Sequence, residues 1–393
     1  MKFRFIKLVS FIFICSLFIT GCKKDDFKQE EVFVKIFDDT DGNKKFVPLS
    51  IQQTEDGGYM ILSAVNGWNI FLMKTDLNGE VVWKNEVDGE HVNAAPTLIK
   101  KQGNYYFVCM DRVGLFTKIF QINQSSGSIT LVNSFNSMLF PTAVYSDENT
   151  TYIQNYNRVS YKTEIHELNS TLTGVVKSGM IDVFTSVENE LVNHNSFNGR
   201  RFPFIIQKTS NGIVMTGFYN YSFSAVFLNS NLQFTGTYNG AGFNGGVNTI
   251  LPLSGNQFAI GKFSNDNQYF NANCTLNPST IDIAENISAA GYSELYSNKP
   301  IVTKSIKING TNYICMLGSS RNNYVLMSIY NVDGTLVGQK KIGQNTPYTI
   351  YDAVQTSDEG MQLLIQVKLA GMYHRIGLVK ISDEQLKEII GEE

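Results

Sequence analysis

The feature that most constrains this chain is a recurring unit of short strands separated by glycine and asparagine turns. Its clearest copy spans residues 52–89. There Glu55-Asp-Gly-Gly58 has turn chemistry, Tyr59-Met-Ile-Leu62 and Asn69-Ile-Phe-Leu-Met-Lys-Thr75 are apolar runs, and Asp76-Leu-Asn-Gly79 turns again. Glu80-Val-Val-Trp-Lys-Asn-Glu-Val87 then alternates with period two, which makes the unit one four-stranded antiparallel meander. Weaker copies follow, each marked by a Gly or Asn ahead of its second strand: Gly58, Gly103, Asn149, Gly212, Gly255, Gly310 and Gly360. The intervals are 45, 46, 63, 43, 55 and 50 residues. Four strands in a repeat of this length are the signature of a propeller blade. The expected fold is therefore all-β, a single β-propeller, with seven blades of four-stranded antiparallel sheet as the first count. Six or eight blades also fit the uneven spacing, whereas two packed sandwiches predict no fixed period. The 63-residue interval is read as an insertion loop over 180–201.

The last unit has strands near 349–355, 361–368 and 373–381, then a stretch at 382–390 that reads as a short helix capped by Ser382 or Asp383. It lacks a fourth strand. The alternating segment 32–37 is expected to supply it from the other end of the chain, leaving no open edge between blades.

Residues 1–21 read as a signal peptide: Lys2, Arg4 and Lys7 precede an apolar run over 8–19 and the closing Ile19-Thr-Gly-Cys22. The run is too short for a spanning helix. Those four closing residues resemble the lipobox of bacterial lipoproteins. The resemblance implies lipidation of Cys22 with palmitate-type acyl chains and a membrane partner held through that anchor. Residues 22–31 then form a tether, and 32–393 the propeller domain with its short C-terminal helix. Lys23-Lys-Asp-Asp26 resembles the signal that sends lipoproteins of Bacteroidetes-type bacteria to the outer face of the outer membrane.

Without the leader, Lys plus Arg falls from 32 to 29 against 35 acidic residues, a net charge of about −6. With no basic run, nucleic-acid binding has no electrostatic support. Cys109 and Cys315 sit in matching contexts, Tyr106-Phe-Val-Cys-Met110 and Tyr313-Ile-Cys-Met316, and are expected to be buried free thiols in separate blades. Cys274 is left over, so there is no disulfide framework and no zinc spacing.

The four histidines, His91, His166, His194 and His374, are scattered and read as loop or surface residues. No nucleophile elbow, phosphate-cradling loop or His-Glu-x-x-His is present, so neither catalytic residues nor a metal or cofactor are expected. Asp56-Gly-Gly and Ser357-Asp-Glu-Gly360 loosely resemble the Asp-box of sialidase propellers but lack the Thr and Trp that should follow; they read as turns. Asp38-Asp-Thr-Asp-Gly-Asn43 lacks the full calcium-loop spacing and also reads as a turn. What stands out is aromatic and amide density in three probable loops: Phe197-Asn-Gly-Arg-Arg-Phe202, Tyr219-Asn-Tyr-Ser-Phe223 and Asn267-Gln-Tyr-Phe-Asn271. Such groups suit sugars or peptides, which makes Phe197, Arg200, Arg201, Phe202, Tyr219, Tyr221, Tyr269 and Phe270 the candidate ligand-lining residues.

The pattern Gln53-Thr-x-Asp56-Gly-Gly-Tyr59, Lys74-Thr-Asp-x-Asn-Gly79 and Trp83 resembles the repeat of bacterial β-propeller lipoproteins and secreted propellers common in Bacteroidetes-type genomes. Gln355-Thr-Ser-Asp-Glu-Gly360 repeats its beginning, and the middle five units blur it. The resemblance implies a fold and a compartment and carries no catalytic residues. The expected function is that of a non-catalytic outer-membrane surface lipoprotein. It would hold a nutrient polymer (glycan or peptide) or dock on an outer-membrane importer or surface protein. Two alternatives stand beside it: a glycan-cleaving hydrolase or lyase on the same scaffold, and a periplasm-facing outer-membrane assembly factor.

Overall fold

The computed structural model describes residues 32–38, 43–196, 200–343, 346–369 and 373–392. The leader, Cys22, the tether, Phe197 and most of the 38–43 acidic turn lie outside the described residues.

The strands follow the repeat. Phe46–Gln53, Tyr59–Val65, Asn69–Thr75 and Val81–Glu86 form the first meander. Leu98–Lys101, Asn104–Asp111, Phe116–Ile122 and Ile129–Leu139 form the second. His91–Val92 bridges the two into one nine-stranded sheet. The third runs Pro141–Ser146, Thr151–Asn157, Lys162–Leu168 and Val175–Asp182. The fourth runs Ile206–Thr209, Gly212–Tyr219, Ser222–Asn229 and Phe234–Asn239. In the fifth, Gly245–Pro252, Gln257–Ser264 and Asn267–Thr275 are joined by Ala290–Tyr292 only after a detour in which Ile281–Ile283 lies parallel to Phe234–Asn239 of the fourth. That detour lengthens the Gly255–Gly310 interval. The sixth runs Ile301–Ile308, Thr311–Ser319, Val325–Asn331 and Leu336–Ile342.

The last unit has Tyr348–Gln355, Met361–Lys368 and His374–Ile381, and its fourth strand is Phe33–Phe37, paired antiparallel with His374–Ile381 (Phe33 opposite Lys380, Phe37 opposite Ile376). The two ends of the strand-bearing chain thus share one sheet, as the alternating 32–37 segment requires. Phe33 seals this junction, packing with Phe46, Ile61 and Met73 of the first unit and Ile376 and Leu378 of the last. The innermost strands of successive units touch one another in an unbroken cycle that returns from Tyr348–Gln355 to Phe46–Gln53.

Apolar cores lie between neighbouring sheets. Second strands are buried on both faces, as in Tyr59–Val65, while the outermost strand Val81–Glu86 is largely exposed. Cys109 and Cys315 occupy equivalent second strands as buried free thiols. Trp83 reaches the next unit, where its indole Nε1 donates to the Gln124 carbonyl at 2.8 Å and its ring covers Gly127. Gly127 has φ +72°, and a Cβ there would stand 2.5 Å from the ring, so only glycine fits.

Polar latches supplement this packing. Asn248 accepts from Ile301 N at 2.9 Å, Gln154 donates to Thr216 O at 3.1 Å, and Gln366 donates to Phe46 O at 2.5 Å, each bridging adjacent sheets. The repeat's Asp-Gly turns carry a second device. Asp56 receives Thr54 Oγ1 at 2.5 Å and Lys74 Nζ at 2.5 Å; Asp358 receives Thr356 Oγ1 and Lys380 Nζ, the latter at 2.6 Å. The lysine at the end of the third strand thus clasps the turn between the first two. Helix Asp383–Ile390 is capped by Ser382, which accepts from Gln385 N, and it packs against Leu336–Ile342 through the buried Leu386.

One boundary differs from expectation. Val175–Asp182 is a regular outer strand, so the insertion begins after it, at about 183, and includes helix Glu188–Ser196.

Candidate binding site

In an antiparallel meander, the turns between strands two and three and the links between units share one end. The 183–205 insertion is the longest such link, and it crosses that face. Its far end reaches the first two units: Arg200 Nη2 donates to Ala94 O at 3.1 Å, and a Cβ on Gly67 would stand 2.8 Å from Ser196 O. His194 anchors it from below. The ring is 4% exposed, its Nδ1 accepts from Phe202 N at 2.8 Å, and it sits among Phe202 and Phe204. Burial, reinforced by the Arg200 charge, holds its pKa well below the ordinary value, so it is neutral at pH 7. The surface or loop reading of His194 is therefore corrected: it is a core residue of the insertion.

Beneath this strap is an axial chamber of about 310 Å³. Every innermost strand or its preceding link contributes lining, among them Ser50, Thr97, Ser146, Gln207, Asn248, Thr303 and Tyr351, and the strap adds His194, Arg200, Phe202 and Phe204. A break in register between Ile350 and Asp352 leaves Tyr351 as the extra residue of a β-bulge, a feature that re-aims a side chain. Asp352 is fully engaged: Lys304 Nζ lies 2.8 Å from Oδ1, while Ser50 Oγ and Ile51 N donate to Oδ2 at 3.2 and 3.1 Å.

Beside the strap lies a larger basin of about 600 Å³, lined by Arg201, Asn244, Phe263, Asn265, Asp266, Ser297 and Asn298. Three links or turns of the fourth, fifth and sixth units build it. Arg201 is held by Phe243 O at 3.0 Å and Asn244 Oδ1 at 3.3 Å, with its guanidinium 5.2 Å above the Phe202 ring. Asn265 and Asp266 form the hairpin tip, with φ of +44° and +63°, the left-handed pair a tight two-residue turn requires. Arg321 grips the Asp266 carbonyl from the sixth unit. The result is a fixed rim of amide, hydroxyl and guanidinium groups around one aromatic ring, with a single carboxylate.

The candidate residues named from sequence distribute unevenly. Arg201 lines the basin, and Arg200 and Phe202 line the chamber. Tyr269 lines a smaller recess that shares Phe263 and is capped by Lys262, 5.6 Å from its ring centroid. Tyr221 is well exposed and stacks on Phe184 at 6.0 Å and 24°. Tyr219 packs on Phe234 at 5.3 Å and 18°. Phe270 is not available to a ligand: it is 2% exposed and packs against Tyr330 between the fifth and sixth units. Phe202 is likewise 3% exposed, at the centre of a cluster with Phe204, Phe218, Phe223 and Phe243, although it counts among the residues lining the chamber. Asn244, Asn265, Ser297 and Asn298 escaped the sequence reading, because they come from three separate turns with no shared motif.

No protein family and no curated protein matches the sequence. Solved structures do match by shape. The extracellular domains 1–2 of Drosophila Semaphorin 1a align over 86% of this chain and 86% of theirs, with 8% identity and a TM-score of 0.50. Raptor from Chaetomium thermophilum aligns over 86% of this chain and 29% of its own, with 7% identity and a TM-score of 0.50. The β-propeller domain of the Trilobed protease from Pyrococcus furiosus aligns over 89% and 98%, with 8% identity and a TM-score of 0.46. At such identities a likeness speaks to fold alone. With its radial repetition of antiparallel meanders, the chain is a β-propeller.

Proposed function

We propose that this propeller is a binding protein for a polar polymer, a glycan before a peptide, and that the basin around Arg201 is where one segment of that polymer rests. The observation that supports this most is the basin's composition. Asn244, Asn265, Asn298, Ser297 and Arg201 offer donors and acceptors at fixed positions around the Phe263 ring, which is the mixture that hydroxyl-rich ligands need. Hydrolysis by paired carboxylates calls for two such groups flanking one bond. Basin and chamber each contribute one, Asp266 and the already engaged Asp352. That composition favours holding over cutting.

The rest of the reading comes from sequence. The signal-peptide pattern, the lipobox ending in Cys22 and the Lys23-Lys-Asp-Asp26 run support a seven-bladed ring, lipid-anchored on the outer face of a bacterial outer membrane, that holds the polymer or docks on an importer. Binding of a panel of glycans and peptides, with product analysis of each mixture, tests the first half. Saturable binding of a glycan, weakened by Arg201→Ala and Asn265→Ala and without new products, is expected; released oligosaccharides would instead establish the hydrolase reading. Protease treatment of intact cells tests the second half: a protected protein refutes the outward-facing orientation.

A further inference from the structure

Arg200 presents a problem that the propeller alone does not solve. Arg200 lines the axial chamber, and although part of the residue reaches solvent, its Nε is buried with no hydrogen-bond partner among the described residues. Nη1 and Nη2 are used on neutral acceptors, Asn195 Oδ1 at 2.6 Å and Ala94 O at 3.1 Å. Among the described residues no carboxylate lies within ion-pair distance of Arg200. Burial pulls its pKa down to about 10, which still leaves it a cation at pH 7. A buried charge without a counter-charge is costly and is ordinarily paired.

The rest of the lining favours an anion. Charged lining residues other than Arg200 are Lys304 and Asp352, which neutralise each other, and His194 is neutral, so the chamber carries a net charge of about +1. A second buried polar atom with no partner, Thr303 Oγ1, belongs to the same lining. The phenol of Tyr351 is brought to the lining by the inner-strand bulge. The cavity, about 310 Å³, lies at the small end of ligand sites. It suits one ring or a shorter acid, not a chain.

We infer that the axial chamber is a second binding site, separate from the basin, that takes a small monocarboxylate no larger than a sugar acid, with its carboxylate on Arg200 and its hydroxyls on Thr303 and Tyr351. The same chemistry is offered by a free acid or by the acidic end residue of an oligosaccharide. The inference does not depend on the basin's role.

The test is calorimetric titration of the purified protein with acetate, glucuronate, glucose and an oligosaccharide ending in a uronic acid, at fixed ionic strength, alongside Arg200→Gln, Thr303→Val and Arg201→Ala. Glucuronate is expected to bind in one-to-one stoichiometry and glucose not to bind at this site. Arg200→Gln should weaken glucuronate by roughly ten- to a hundred-fold, the worth of one charge-assisted pair. Thr303→Val, which leaves the cation in place, should weaken it by about three- to ten-fold, and Arg201→Ala should leave it unchanged. Tighter binding of the oligosaccharide than of glucuronate assigns the chamber to chain ends; the reverse assigns it to free acids. Absence of carboxylate binding to the native protein, equal binding of glucose and glucuronate, or undiminished binding by a folded Arg200→Gln protein overturns the inference. Loss of basin binding by Arg201→Ala with glucuronate binding intact separates the two sites.

Discussion

The Asp358 clasp makes the sharpest test of how this repeat is held together. Lys380 has no exposed surface, whereas the Asp358 side chain retains about a third of its own, 34%. Burial pushes the Asp358 carboxyl upward, but hydrogen bonds from Lys380 and Thr356 outweigh it and hold the pKa below the ordinary range. Burial lowers the Lys380 pKa, and Asp358 opposes that. Asp358→Asn keeps an amide oxygen that can accept from Lys380 but removes the negative charge, so the buried ammonium is left with neutral oxygen partners only, that amide and Thr356 Oγ1 at 2.5 Å. Breaking a fully buried pair costs about 3–5 kcal/mol; partial exposure of the carboxylate and the surviving threonine reduce this to about 2–3 kcal/mol. At roughly 2 °C per kcal/mol for a chain of this size, the melting temperature should fall by about 5 °C. Linkage fixes the sign with pH. In the native protein a depressed carboxyl contributes stability that is complete above its unfolded value near 3.9 and disappears as pH falls through the lower folded value. In the Asn variant the lysine alone remains, with its folded pKa depressed. The variant should regain stability as pH rises from 7 toward the unfolded lysine value near 10.4, because the unfolded chain then holds the extra proton. Thermal unfolding followed by circular dichroism from pH 3 to 10 measures both limbs. A variant within about 0.5 kcal/mol of native at pH 7, or a deficit that does not shrink by pH 10, refutes the clasp as described.

Three further outcomes follow from the same structure. Phe33→Ala should destabilise by about 3–4 kcal/mol in denaturant unfolding, since it empties the packing between the first and last units. Asn248→Ala strands the Ile301 N–H and takes a donor from the Gln268 side-chain Oε1 and the Lys299 carbonyl, and should cost about 2–3 kcal/mol in the same assay. Tyr221→Ala, at an exposed ring on the strap face, should change stability by less than about 0.5 kcal/mol while lowering retention on a glycan column.

The fold was largely legible because a propeller writes itself into sequence period by period. Each marker preceded a second strand, and the 32–37 alternation reads as a strand in search of a partner. Less was legible where the signal was compositional. The run Asn267–Asn271 reads as a ligand loop for its amides and aromatics, yet it belongs to strand Asn267–Thr275, where Gln268, Phe270 and Ala272 point inward at period two, with exposures of 0, 2 and 3%. Alternation should have outweighed composition there. The clasp lysines carry a signal of their own: Lys74 and Lys380 each follow a run of apolar residues near the end of a strand, where a buried cation is tolerated only if something answers it. Arg200 stands out in sequence only through the aromatic and amide residues around it, and nothing there signals its depth. Its depth depends on a strap whose helix Glu188–Ser196 is too polar to announce a buried face, and on an anchoring imidazole with no motif around it.

The two ends of the blades are under different physical demands, and this explains where binding is to be sought. At one end, turns between strands one and two are short, and in the first and last units an aspartate, a threonine and a lysine lock them. Side chains there are consumed in holding the turn, so a ligand would have to compete with the clasp. At the other end, the links vary in length and path, and the two-residue turns Asn220-Tyr221 and Asn265-Asp266 leave their side chains exposed. The left-handed pair at Asn220 and Tyr221 is what such a turn requires, and it leaves the Tyr221 ring, like that of Phe184, more than half exposed. An exposed aromatic pair at the same end as the polar basin and the chamber gives a ligand a surface that the clasped turns at the opposite end do not offer.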